Sequence, residues 1–210
     1  LIQVERKREP KRNLEILNGI ATYQWVVFSS VNGVKFFFDA FFEAFNDIRA
    51  FGPASVACVG HQTAEEVSRY HLEVELVPGE SNGVALAKAL VETGSLPSAY
   101  VLWVSGDKVN RDALKVLEGE GEAIPDVFEV YQSSARSMEG EAAAADFRER
   151  GSDVILFASP SAVESFVQQV DHLTISDEGT RPKTVSIGPS TSEAMKRLHV
   201  PVDRECQSPE

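Results

Sequence analysis

Apolar residues recur along this chain in two rhythms. Trp25-Val-Val-Phe28 is an unbroken β-branched and aromatic run that stops at Ser29-Ser30; Val34, Phe37, Phe38, Phe41, Phe42 and Phe45 follow at intervals of three and four. The run predicts a buried strand, the spacing a helix with one apolar face, and Ser30 is the natural N-cap. Val56 to Val59 predicts a second strand, Gly60 a tight turn, and Thr63-Ala-Glu-Glu66 has the form of a capping box opening a helix. A third strand from Tyr100 to Ser105 leads through Gly106-Asp107 into a helix ending near Leu117.

The first two of these motifs occur twice. Trp25 to Phe37 resembles Val154 to Phe166, aligning Phe28 with Phe157, Ser30 with Ser159 and Val34 with Val163. Val56 to Thr63 resembles Thr184 to Thr191, aligning Gly60 with Gly188 and Thr63 with Thr191. The offset is 129 residues between Phe28 and Phe157 and 128 between Gly60 and Gly188, so the chain carries two copies of one supersecondary unit. In the second copy Ser159 precedes Pro160, the cap-then-proline order of a helix start, and Ser190-Thr-Ser-Glu193 repeats the capping-box form. Alternating strands and helices imply parallel sheets covered on both faces.

Two segments stand outside the repeat. Leu1 to Arg8 and Val127 to Tyr131 alternate apolar and polar residues, read as strands, and border the first copy. They suggest two crossings of a hinge: residues 1–10 and 127–135 as hinge strands, 11–126 as a complete α/β domain, and 136–210 as a second α/β domain.

Composition narrows the function. With 210 residues, 43% of them hydrophobic, the chain has enough apolar material for ordinary packed cores in two small domains. The longest apolar runs are interrupted well short of the roughly 20 residues a membrane-spanning helix needs. A net charge of −12 argues against nucleic acid as a partner, and the basic run from Arg6 to Arg12, broken by Glu9 and Pro10, reads as a solvated face. Two cysteines and four histidines, none at metal-ligand spacing, point to a reducing compartment and no metal site. The chain opens on Leu1 within a strand pattern, without an initiator Met, as a fragment would.

Parallel sheets place ligands beyond the carboxyl ends of their strands, where helix N-termini point. Those positions carry Ser29, Ser30, Gln62, Thr63, Gly106, Asp107, Ser159, Ser161, Ser190 and Thr191. Hydroxyls, amides and free backbone N–H groups can hold anions without a basic patch. The same residues cap helices in any protein, so the residues alone leave both roles open. Tyr131, in the second hinge strand, could donate a proton to a leaving hydroxyl or simply pack on its neighbour. No nucleophile elbow, Walker A lysine motif or dinucleotide fingerprint is present.

Trp25 to Phe37, Val59-Gly-His-Gln-Thr-Ala64, Ser105-Gly-Asp107, Val130-Tyr-Gln-Ser133, Phe157-Ala-Ser-Pro-Ser161 and Ile187-Gly-Pro-Ser-Thr191, in that order and spacing, resemble the uroporphyrinogen-III synthase family. The resemblance implies two similar flavodoxin-like α/β domains with parallel sheets, joined by a two-stranded β hinge with a cleft between them. It implies a cofactor-free lyase reaction on hydroxymethylbilane, a linear tetrapyrrole with eight carboxylates. Loss of the terminal hydroxyl gives an azafulvene, a spiro intermediate forms, and the last pyrrole is inverted as the ring closes. Tyr131 matches the tyrosine that assists loss of the hydroxyl; Ser30, Thr63, Ser159 and Thr191 match the family's cleft hydroxyls, with Gln62, Gly106, Ser161 and Ser190 beside them as substrate contacts. A cytoplasmic monomer is implied, with hydroxymethylbilane synthase as a transient partner.

The family pattern begins with a further strand and helix and ends with a further helix, so the second domain is expected to be incomplete here and to leave apolar edges exposed. Many members carry Arg where this chain has Ser105. Two other readings stay open on the residues: a non-catalytic paralogue, and a hinge-type receptor for a small anion.

Overall fold

A computed structural model describes residues 2–206; Leu1 and residues 207–210, assigned above to the first hinge strand and the second domain, lie outside the described residues. Val4–Ser133 forms one compact unit, and the chain from Ser134, with the residues before Val4, forms another.

The first unit runs β1 (Ile2–Arg6), α1 (Pro10–Asn18), β2 (Trp25–Phe28), α2 (Val31–Ala44), β3 (Ser55–Cys58), α3 (His61–Ser68), α4 (Gly83–Glu92), β4 (Tyr100–Gly106), α5 (Arg111–Gly119) and β5 (Ile124–Ala135). The sheet order is β1-β5-β4-β2-β3, and β2 lies parallel to both β3 and β4. Its strands alternate between two cores. Val26, Phe28, Val56, Cys58, Leu102 and Val104 face one side, where α1, α2 and α3 supply apolar cover; Trp25, Val27, Ala57, Val101 and Trp103 face the other, under α4 and α5. A strand buried on both faces reads as a continuous apolar run, which is why Trp25 to Phe28 shows no alternation.

The helical spacing of phenylalanines has a direct structural counterpart. Phe37 packs edge-on against Phe28 at 5.2 Å and against Phe128 at 6.0 Å, and stacks with Phe41 at 6.0 Å. Each such pair adds about 0.5–1.5 kcal/mol beyond area burial. Cys58 sits in this core, and burial pushes the pKa of its thiol up to about 12.

The two segments outside the repeat form strands, as read, and pair within the first sheet, with β5 parallel to β4 over the register Tyr100↔Ile124 to Gly106↔Tyr131. Two expectations change. The basic run is ion-paired rather than merely solvated: Arg6 meets Glu43, Lys7 lies 2.6 Å from Glu129, and Arg12 lies 3.6 Å from Asp126. Neither capping box forms. Helix α3 begins at His61 with Gly60 as its cap, whose carbonyl accepts from the N–H groups of Thr63 and Ala64. Thr63 is therefore a buried third residue, and Glu66 pairs with Arg69 at 3.1 Å.

The second unit continues with α6 (Ala142–Arg150), β6 (Val154–Phe157), α7 (Pro160–Gln168), β7 (Lys183–Ser186), α8 (Pro189–Arg197) and β8 (Arg204–Glu205). Its three strands are parallel in the order β6-β7-β8. Phe157, Val163, Ala194 and Met195 form a small core, whereas Val154 and Leu156 on β6 are 53% and 57% exposed. Gly188 caps α8 as Gly60 caps α3, so Ser190 is its second residue and Thr191 its third. Among the described residues, no helix is long and apolar enough to cross a membrane.

Candidate active site

The carboxyl ends of β2 and β4 and the interior of β5 bring three of the expected residues together. Ser30 caps α2 as its sequence position predicts, its Oγ accepting from the Gly33 N–H at 3.0 Å. The same Oγ lies 3.0 Å from the Tyr131 hydroxyl. Tyr131 comes opposite Gly106 because the β4–β5 register shifts between Ser105 and Gly106, where Ser105 pairs with Glu129 and Gly106 with Tyr131. Such a bulge re-aims the side chain that follows it.

Gly106 has a steric role. A Cβ there would lie 2.4 Å from Tyr131 Cε2 and 2.6 Å from Cζ, so the ring rests directly on the glycine backbone. Phe36 flanks the ring at a centroid distance of 5.9 Å. The turn after Gly106 is tied to β5 twice: the Asp107 N–H donates to the Tyr131 carbonyl, and the Ser133 N–H donates to Asp107 Oδ1, both at 3.0 Å. The Ser29 hydroxyl, by contrast, donates to the Val104 carbonyl at 2.9 Å and serves the sheet.

Beside Tyr131 opens a cavity of about 310 Å³, bounded by Gly106, Lys108 and Trp103 and by Asn82, Gly83 and Asn110 at the starts of α4 and α5. Asn82 and Asn110 cap those helices, accepting from the Ala85 and Ala113 N–H groups. The Trp103 indole N–H is buried and lacks a hydrogen-bond partner. A buried donor left without an acceptor costs about 1–3 kcal/mol.

Sequence reasoning missed Trp103, Asn82, Lys108 and Asn110. Both asparagines stand immediately before helices, which is a cap signal, but Gly79, Ser81 and Gly83 make the segment before α4 look like loop. Gln62 and Thr63 are not part of this wall: Gln62 is exposed on α3 and Thr63 is buried within it.

In the second unit Ser159 caps α7, accepting from the Ala162 N–H at 3.2 Å, and its Oγ lies 3.1 Å from that of Ser161. Ser190 is exposed, while Thr191 is buried and its hydroxyl has no partner. Ser192 bridges Ser186, at 2.6 Å, to Glu205. No group of three or more His, Cys, Asp or Glu side chains among the described residues is arranged to hold a metal.

A family model described as uroporphyrinogen-III synthase HemD matches residues 1–210. Among solved structures, the chain is similar to uroporphyrinogen-III synthetase from Helicobacter pylori, with a TM-score of 0.68 at 13% identity, over 100% of this chain and 85% of that one. It is also similar to a mutant uroporphyrinogen III synthase from the extreme thermophile Thermus thermophilus, with a TM-score of 0.63 at 16% identity, over 99% of this chain and 81% of that one. At these identities the likeness is one of fold: α/β with predominantly parallel sheets.

Proposed function

The chain belongs to the uroporphyrinogen-III synthase family, and on that premise we propose that it cyclises hydroxymethylbilane with Tyr131 as the proton donor to the departing hydroxyl. The observation that carries this reading is the contact between Ser30 and Tyr131, 101 residues apart in sequence, at the carboxyl end of a parallel sheet.

Either oxygen of that contact can be the donor, and in the catalytic form we assign that role to Ser30. A backbone N–H can only donate, so Gly33 occupies one lone pair of Ser30 Oγ. The serine proton is then free to point at the Tyr131 oxygen, which leaves the tyrosine proton directed at substrate. When the terminal carbon–oxygen bond breaks, that proton leaves with the hydroxyl as water, and the substrate becomes the N-protonated azafulvene, whose positive charge balances the phenolate. Ser30 keeps its hydrogen bond to the phenolate oxygen until solvent returns a proton. No redox or group-carrier chemistry is required.

The bilane can close unaided to the uninverted ring, so most of the enzyme's task is to hold it in the conformation that inverts the last pyrrole. We assign carboxylate contacts to helix starts of both units: Gln62 and Thr63 on α3, Ser159 and Ser161 on α7, Ser190 and Thr191 on α8. The two units act as flavodoxin-like domains, residues 1–10 and 127–135 serving as the hinge strands. The enzyme works as a cytoplasmic monomer supplied by transient contact with hydroxymethylbilane synthase.

A coupled assay tests the reading. Hydroxymethylbilane is generated with its synthase, the protein is added, the product is oxidised, and isomers I and III are separated chromatographically. Predominance of isomer III is expected; isomer I alone, from folded protein, would remove the assignment.

A further inference from the structure

We propose that Asp107 is a positioning residue for the proton donor: its carboxylate takes the place of a main-chain carbonyl of β4 and fixes the stretch of β5 that aims Tyr131. The chemistry it serves rests on the cyclase reading; the geometry rests on the first sheet alone.

Tyr131 sits at the least regular point of its strand. Strand β4 stops at Gly106, whereas β5 continues to Ala135. Immediately before Tyr131 the register shifts: Ser105 faces Glu129 and Gly106 faces Tyr131, so Val130 is an extra residue with no counterpart on β4. A bulge interrupts the ladder and bends the strand that carries it. Relaxing this one would slide β5 by one residue against β4, and such a slip turns a side chain to the other face of the sheet. The contacts of Tyr131 with Ser30 and Gly106 therefore need a hold on β5 just past the bulge.

Asp107 supplies that hold with two bonds. Its N–H donates to the Tyr131 carbonyl and its Oδ1 accepts from the Ser133 N–H, both at 3.0 Å. In a parallel ladder a residue donates to the carbonyl before the residue it faces and accepts from the N–H after it. Asp107 reproduces that pattern around Gln132, with a side-chain oxygen standing for its own carbonyl. The main chain can then turn away toward α5 while the ladder goes one step further, a use of the aspartate side chain as a local backbone acceptor. The first bond belongs to the main chain and survives a change of side chain; the second does not. Asp107 is exposed, and its carboxylate would repel a substrate rich in carboxylates, so its surroundings support holding β5 rather than contacting the bilane.

Alanine and asparagine separate the requirement. Asp107→Ala removes the acceptor, whereas Asp107→Asn keeps an accepting oxygen and loses only the charge. With hydroxymethylbilane, Asp107→Ala should lower kcat about tenfold at unchanged KM, the pattern of an interaction weakened only in the transition state, and Asp107→Asn should stay within about twofold of wild type. Because Asp107 acts through Tyr131, the alanine should cost nothing further in a Tyr131→Phe background. In ¹⁵N-labelled protein the Ser133 amide should exchange its proton about tenfold faster in Asp107→Ala and at the wild-type rate in Asp107→Asn, a readout that needs no substrate.

A wild-type kcat in Asp107→Ala, or a loss just as large in the Tyr131→Phe background, would overturn the positioning role and leave the cyclase reading intact. Wild-type protein that yields no isomer III would remove the cyclase reading instead; faster Ser133 exchange in Asp107→Ala would still support the hold on β5, and unchanged exchange would overturn it.

Discussion

The two copies of the repeated unit present the same serine in the same place to different neighbours. Ser30 and Ser159 each follow a strand, cap a helix and accept from the N–H three residues on. Ser30 then meets a tyrosine hydroxyl at 3.0 Å, and Ser159 meets Ser161 at 3.1 Å. The shared feature is the one the helix needs, and the unshared one carries an ionisable proton. Duplication preserved a cap; the proposed proton donor comes from β5, which brings Tyr131 to one copy.

The copies also differ in how firmly their ends are held. In Val4–Ser133 the five-stranded sheet has cores on both faces, including fully buried Phe28, Phe37, Phe38, Phe41, Phe51 and Phe128. In the second unit a three-stranded sheet rests on a core of four buried residues and leaves Val154 and Leu156 exposed. A rigid frame suits proton transfer, which depends on a fixed geometry, while carboxylate contacts tolerate more give.

The largest test of this contrast is in the cores. Phe37→Ala should destabilise the first unit by about 3–5 kcal/mol, since it removes a ring packed against several others. Phe157→Ala removes a ring that packs against Phe166 at 5.3 Å in the smaller core, and should fall at or below the low end of that range; chemical denaturation measures both. Next comes Tyr131→Phe, expected to lower kcat about 10²-fold, the lower range for a positioned general acid, with the circular dichroism spectrum unchanged. Gly106→Ala should lower kcat about tenfold, because the new methyl displaces the ring from Ser30. The smallest effect belongs to Ser159→Ala: loss of a cap worth about 1 kcal/mol in thermal unfolding, with isomer III still formed.

Much of the fold was legible because strand and helix rhythms were strong. Trp25 to Phe28 and Val154 to Phe157 are strands at the predicted residues, and both serine caps form as read. The capping boxes failed for a local reason: Gly60 and Gly188 take the cap positions in extended conformation, so α3 starts two residues before Thr63 and α8 one residue before Ser190, the residues expected to cap them. Of the candidate site, the residue types were readable and their grouping was not. Nothing in the spacing of Ser30 and Tyr131 announces a contact between them, since it depends on a register shift opposite Gly106. The cavity behind Tyr131 was equally hidden, because Trp103 reads as core and Lys108 as surface, and only the convergence of two helix starts makes them neighbours.

Ser30 is proposed to donate to Tyr131 as well as to cap α2, and kcat of Ser30→Asp separates the two roles. Aspartate caps a helix as well as serine but, ionised, can only accept, so it would draw the tyrosine proton toward itself. The expected kcat is reduced about as far as in Tyr131→Phe, near 10²-fold, with thermal stability retained. A wild-type kcat in that variant would show that Ser30 is a cap and nothing more.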